Sequence, residues 1–322
     1  MTEARSEQYS PGILDGFARL LAVMVTLGKY GAWSLFWRVT PKRARQIEDL
    51  GYGAIWLGGS VADLGPVRAA LEATSKVVVG TSITNIFGSD PRAVGREFAE
   101  LNADYPGRVA LGLGIGHQEK LPGREVKPLT LMAEYLDVLD TEHVPEDQRF
   151  IAALGPKMLR LAADRTAGTL PYLAPAENTG NARSIVGDDT LVIPEHKVVL
   201  EGDRSSALAR ARSYIHRYWE MPNYVQNLKK YGFADADFAD GGSDRLLDAV
   251  VASGTVGDIV AKLEQHFVAG ANHVAIQVIE SRPEKWDEEI QLYFGQGIIP
   301  NVDDGSPDEL LDTFAAIITA SK

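Results

Sequence analysis

His117 is the side chain whose type and setting best suit proton transfer. It follows the aliphatic run Val109–Leu113 and three alternating glycines, Gly112, Gly114 and Gly116. An imidazole titrates at about 6.5, which places both protonation states within reach near neutrality. A loop histidine hydrogen-bonded to backbone would look the same, and the residues alone leave both readings open. The glycines match a dinucleotide fingerprint poorly. That site needs a glycine or alanine where His117 stands and a helix immediately after, whereas a proline-bearing loop follows. Glycines at a strand end instead let a flat ligand approach the backbone closely.

Two segments suit an anion. Gly155-Pro156-Lys157-Met158 opens a helix, whose free amides and dipole favour negative charge, with Lys157 adding its own; an ordinary strand-to-helix turn with proline at the first helical position reads equally well. Lys120, Arg124 and Lys127 cluster after His117 and would attract an anionic ligand, or simply be a solvated loop. The acidic stretches Asp235–Asp240 and Asp287–Glu289 read as solvated surface. No cysteine is present, which removes disulfides, thiolate nucleophiles and thiolate metal sites. No two histidines stand three to five residues apart, so no metal is expected; His143, His196, His216, His266 and His273 read as surface or satisfied core groups. Neither a Gly-x-Ser-x-Gly elbow nor a Walker A sequence occurs.

The elements that must carry these groups alternate. Strands are expected at 29–34, 54–57, 77–84, 109–113, 149–153, 168–172, 191–200 and 274–279. Helices fall between them, two opened by the cap-and-proline pairs Thr40-Pro41 and Asp90-Pro91. Eight strands alternating with helices predict an α/β fold, a (β/α)8 TIM barrel, with a helical insertion at about 204–251 between strands seven and eight. No linker composition divides the 322 residues, so one barrel domain over 1–322 is expected. Barrel chemistry gathers at the carboxyl ends of the strands. That singles out Trp33, Gly58 to Ser60, Ser82 to Asn85, Gly114 to His117, Leu154 to Met158, Tyr172 and Gln277.

Composition excludes several classes of function. At 45% hydrophobic the chain can bury a large core, and its formal charge of −12 disfavours nucleic acid and anionic membranes as partners. The apolar stretch Phe17–Leu27 is interrupted by Arg19 and is about half a membrane span. With Glu3, Glu7 and Asp15 nearby it reads as a packed N-terminal helix rather than a signal peptide, and a cytoplasmic protein is expected.

Three stretches, in this order, resemble the bacterial luciferase-like family of flavin- and deazaflavin-dependent oxidoreductases. They are 78–85 running on to Asp90-Pro91, then 105–114, then 152–158 with Ala167-Gly168. Leu50 to Ala54, Pro222-Asn223-Tyr224 and Gly241 to Leu246 are similar to its actinobacterial F420-dependent branch. The resemblance covers roughly 28–280. It implies a barrel, commonly a homodimer, with a tricyclic ring at the strand ends. It also implies coenzyme F420 as cofactor, FMN being the alternative. A non-proline cis peptide, here Ser82–Ile83, would back the ring, and Asn85 would contact ring or tail. Gly155, Lys157 and Met158 match the phosphate turn, Lys120 a cofactor-binding position, and His117 an acid/base position.

One departure stands out. A sugar-phosphate-oxidising relative carries an Asp-His pair at the end of strand two, where this chain has Leu57-Gly58-Gly59-Ser60. The expected function is therefore F420-dependent hydride transfer with a small organic substrate, and His117 exchanging the proton. Gly114 and Gly116 would lie against the cofactor; Trp33, Tyr172 and Gln277 would line the substrate side, with Tyr224 and Asn227 in a lid. An FMN-dependent monooxygenase, or a non-catalytic cofactor-binding barrel, are the alternatives.

Overall fold

The computed structural model describes residues 25–116, 127–281, 288–295, 300 and 308–322. Strand β1 (Tyr30–Leu35) leads to α1 (Pro41–Leu50), whose cap is the expected one: Thr40 accepts from the Arg43 amide, with proline at the first turn. Then come β2 (Ala54–Gly58), α2 (Gly65–Ala73), β3 (Val78–Thr81), β4 (Thr84–Asn85) and α3 (Pro91–Asp104), the last capped by Asp90. β5 (Val109–Gly114), α4 (Pro128–Thr141), β6 (Arg149–Ile151), α5 (Pro156–Arg165), β7 (Gly168–Thr169) and α6 (Ala176–Val186) continue the alternation. β8 (Leu191–Val192) and β9 (Glu195–Leu200) follow. The expected insertion holds α7 (Arg204–Ile215), α8 (Pro222–Lys229) and α9 (Asp244–Val250), with 3-10 turns at His216–Glu220 and Asp235–Gly241. β10 (Val251–Gly254), α10 (Val256–Val268), β11 (Val274–Val278) and α11 (Glu309–Ala320) follow, with further 3-10 turns at Phe36–Arg38 and Glu146–Gln148 and a π-helical turn at Gln291–Gly295.

All strand pairs are parallel, in the order β10-β9-β11-β1-β2-β3-β5-β6-β7-β8, with β4 on β5. β8 and β9 are one run of chain broken only by Ile193-Pro194. Its first half lies on β7 and its second on β11, with the Glu195 amide donating to the Pro171 carbonyl, so the two ends of the order meet. The ring has the eight expected strands, and the fold is a TIM barrel of the α/β class. Two details differ from expectation. The third strand is not continuous over 77–84: it stops at Thr81, passes through a cis peptide between Ser82 and Ile83, and resumes against β5. β10, where no strand is expected between 200 and 274, pairs with the carboxyl half of β9.

Side chains alternate across the wall with the two-residue period of a strand. Ile55, Leu57, Val79, Leu111 and Ile151 face the helices, whereas Trp33, Trp56, Val78, Ala110 and Phe150 fill the interior. Trp56 is fully buried and spans the interior because its neighbours are small: a Cβ on Gly31 would stand 2.8 Å from its ring and one on Gly80 2.7 Å. At the amino end, His273 accepts from Trp56 Nε1 at 3.0 Å through Nε2 and donates from Nδ1 to the Gly28 carbonyl at 2.8 Å. The N-terminal helix expected from Phe17 falls almost wholly outside the described residues; Val25 and Leu27, at its end, pack into the inner core.

Candidate active site

A cavity of about 830 Å³ opens over the carboxyl ends of the strands. One wall is the end of β3 and β5. The cis Ser82–Ile83 bond turns the Ile83 side chain toward Gly114, so closely that a Cβ there would come within 2.6 Å of it. Gly116, at φ +68°, lies as close to the Asn85 amide. Asn85 itself accepts from the Phe87 amide at 3.0 Å. The two glycines thus make room for the Ile83 and Asn85 side chains, and all four residues line this wall of the cavity.

Trp33 takes the space that a side chain at the end of β2 would use. A Cβ on Gly58 would lie 2.0 Å from Trp33 Cζ2, and the indole Nε1 donates to Ser82 Oγ at 3.0 Å. The absence of a titratable group at Gly58-Gly59-Ser60 is therefore matched by an aromatic plate in its place.

A second wall, joined to the first through Trp33, whose ring centroid is 5.8 Å from that of Tyr172, is a tyrosine cluster that the sequence reading found only in part. Tyr172, just after β7, is 2.6 Å from the Tyr218 hydroxyl and donates to Gln277 Oε1 at 3.2 Å; Gln277 Nε2 in turn donates to Tyr214. Tyr224 from α8 closes the group, its ring centroid 6.0 Å from that of Tyr172. Beneath lies a pair not anticipated at all: Lys197 Nζ, fully buried, is 2.8 Å from Glu195 Oε2 and 3.8 Å from the centroid of the Tyr172 ring. Burial pushes the Glu195 carboxyl up and the Lys197 ammonium down, and each partner's charge opposes the other's shift. Burial, then the neighbouring hydroxyl of Tyr218, holds the Tyr172 phenol well above its usual range, so it stays a neutral donor. Charged residues two apart on one strand face the same side, which was the available signal.

The rim is pinned from β11 outward. Glu289 accepts from Trp37 Nε1 at 2.9 Å and from Arg38 Nε and Nη2 at 2.7 and 2.8 Å, and Arg38 also meets Glu280. Glu289 is buried, which corrects its reading as solvated surface: a bidentate guanidinium offsets its desolvation. This places Ile290 on the cavity and Tyr293 against Trp37.

Of the expected site residues, Trp33, Ser82, Ile83, Asn85, Gly114, Gly116, Gly155, Met158 and Tyr172 line this one cavity. Lys157 does not; it is exposed on the first turn of α5, pointing away while Gly155 and Met158 face in. Gln277 is fully buried behind the tyrosines and reaches the cavity only through them. His117, Lys120 and Arg124 lie outside the described residues. Among the described residues no group of three or more His, Cys, Asp or Glu could hold a metal, and no helix is long and apolar enough to cross a membrane.

A (β/α)8 barrel with a largely aromatic and aliphatic cavity at its strand ends, backed by a non-proline cis peptide, defines a class of cofactor-using barrel enzymes. The chain belongs to the luciferase-like monooxygenase family, whose model matches residues 34–273. Two F420-dependent glucose-6-phosphate dehydrogenases are similar in sequence. That of Intrasporangium calvum is 26% identical over 263 residues, 65% of this chain and 76% of that protein; that of Microbacterium testaceum is 36% identical over 81 residues, only 24% of its length and 21% of this chain. An F420-dependent secondary alcohol dehydrogenase, solved with an F420-acetone adduct, shares the fold at a TM-score of 0.66 and 16% identity, over 91% of this chain and 99% of that one. The oxygenating constituent of 3,6-diketocamphane monooxygenase from Pseudomonas putida, solved with FMN, superposes at 0.59 with 13% identity, covering 82% and 96%.

Proposed function

We propose that this protein is an F420-dependent oxidoreductase acting on a small, uncharged organic substrate. The observation that carries the reading is the cis Ser82–Ile83 bulge packed on Gly114, beside Gly116, on one wall of a cavity large enough for a tricyclic ring and a substrate together. When bound, the deazaflavin supplies hydride chemistry at C5. The residues of the chain do the rest. The Ser82–Ile83 bulge and the glycines would seat the ring, and Gly155 with Met158 at the start of α5 would receive the anionic tail, where helix amides favour negative charge. Trp33, Tyr172, Tyr218 and Tyr224 exclude water and confine the substrate. His117 is the sequence's candidate for exchanging the accompanying proton.

Oxidation of a sugar phosphate, which the two sequence relatives are named for, fits this chain poorly, because Trp33 fills the end of β2 where a proton-handling side chain would stand. An FMN-dependent monooxygenase is the second reading, favoured by the fold likeness to the FMN-bound constituent. Gly155 offers a direct test. It lines the cavity in an extended conformation, φ −104°, and a Cβ there would meet nothing within 4 Å. Gly155→Val should lower the melting temperature by no more than about a few degrees, the cost of valine at the helix cap, and weaken F420 at least about tenfold. Unchanged affinity would contradict the placement of the tail.

A further inference from the structure

Ser60 stands just past β2, half-buried and lining the cavity. Its backbone is left-handed, φ +59°, and follows Gly59 at +94°. Glycine takes such a conformation freely, whereas a side chain makes it costly, so a serine persists there where its hydroxyl has a use. Within the protein that hydroxyl has none. Ser60 Oγ meets no hydrogen-bond partner among the described residues, and unlike Ser34 Oγ, which is buried without a partner, it is open to the cavity. The turn holds it beside the wall proposed to seat the ring, because the Val61 amide donates to the Ile83 carbonyl at 3.0 Å and Val61 bridges Thr84.

The neighbouring groups indicate what Ser60 meets. Ser82 Oγ accepts from Trp33 Nε1, which leaves its own proton to give. Asn85 Oδ1 is taken by the Phe87 amide, which leaves the Nδ2 protons. The corner between the ends of β2 and β3 therefore offers uncharged donors. Among the described residues, the charged side chains lining the cavity are Arg217 and Lys230, and both belong to the insertion. A carbonyl oxygen accepts uncharged donors without a counter-charge, whereas a carboxylate held at this corner would be desolvated with no cation on either strand end.

We propose that Ser60 binds substrate, donating its hydroxyl proton to the oxygen of a ketone or an aldehyde, which the site interconverts with the alcohol. This rests on reading the cavity as the hydride-transfer site. Hydride added at the carbonyl carbon sends the C=O electron pair onto that oxygen, which takes up the proton proposed for His117; the Ser60 bond strengthens as the charge develops.

Acetophenone and α-methylstyrene share one shape and differ in an oxygen against a methylene. Both are titrated, by ligand NMR, into wild type, Ser60→Ala and Ser60→Gly, with and without oxidised F420 so that no turnover occurs. F420 affinity is measured in parallel. Both variants should bind acetophenone about fivefold more weakly, the worth of one uncharged hydrogen bond, and keep α-methylstyrene and F420 within about twofold. Ser60→Gly also relieves the left-handed strain and should melt within about two degrees of wild type. A glycine variant that melts well below this would give the hydroxyl a structural partner and overturn the proposal. Unchanged acetophenone affinity in both variants, an equal loss for ketone and alkene, or failure of wild type to bind acetophenone would overturn it too. A loss of F420 affinity in its place would put the hydroxyl on the cofactor instead of the substrate. A selective loss of the ketone in a protein that ignores F420 would uphold Ser60 and remove the parent reading.

Discussion

Replacing Lys197 by methionine tests whether the floor of the tyrosine wall is held by charge. The substitution preserves length and removes the ammonium that stands 2.8 Å from Glu195 and 3.8 Å from the Tyr172 ring centre. Glu195 is 3% exposed and would be left as an uncompensated buried carboxylate, which costs about 3–5 kcal/mol. Loss of the desolvated cation–π contact adds up to about 2 kcal/mol. The first cost has a signature. In the variant only the weak, 3.5 Å hydrogen bond from the Leu173 amide still opposes the upward pull of burial on Glu195, so its folded value lies above the unfolded one; the stability tied to its neutral form is complete below the unfolded pKa and is lost as pH rises through the folded one. Destabilisation should therefore grow from pH 5 to pH 8, by at most about 1.4 kcal/mol per unit. Adding Glu195→Gln should recover most of it, leaving about 2 kcal/mol from the ring contact. Denaturant midpoints followed by both far-ultraviolet circular dichroism and tryptophan fluorescence would measure this. A double variant as unstable as Lys197→Met, or a single variant with no pH dependence, would refute the reasoning.

Gly58→Ala should force the Trp33 indole off Ser82 Oγ, since the new Cβ would stand 2.0 Å from Cζ2; overpacking of this kind costs about 1–3 kcal/mol. Thermal melts should show the loss, and Trp33→Leu in the same chain should restore most of it; no recovery would count against the contact. Burial holds His266 and His273 at about 4, below the usual histidine value, and depresses His196 as well. These groups contribute stability above pH 6.5 that is lost as pH falls toward 4, approaching about 1.4 kcal/mol per unit for each histidine. Denaturant midpoints that stay flat between pH 6.5 and 5, above the carboxylate range, would contradict this.

The barrel was legible because its signals are local and repeated. Thr40-Pro41 and Asp90-Pro91 cap helices as their chemistry requires, and the short apolar runs 54–57 and 109–113 form strands buried on both faces of the wall. Family likeness placed the cis bond at Ser82–Ile83, which no periodicity could have found. β10 was missed because four residues leave α9 with no turn between and pair with a strand some fifty positions away, a tertiary effect without a local mark. Glu289 looked like surface because its stretch is acidic; only the folded chain brings Arg38 to it. Lys157 and Gln277 were assigned by position at strand ends, but side-chain direction decides what reaches the cavity: Lys157 points to solvent and Gln277 acts through Tyr172 and Tyr214. The Glu195–Lys197 pair could have been found, since a two-residue spacing within an apolar strand puts both charges inside the barrel together.

The central claim is that the wall at the cis Ser82–Ile83 bulge receives a deazaflavin, and one measurement addresses it: separate titrations of the purified protein with F420 and with FMN, read by quenching of cofactor fluorescence. Micromolar or tighter binding of F420, with FMN at least about tenfold weaker, is the predicted result. Preference for FMN would contradict the account and favour oxygen-activating chemistry in the same barrel.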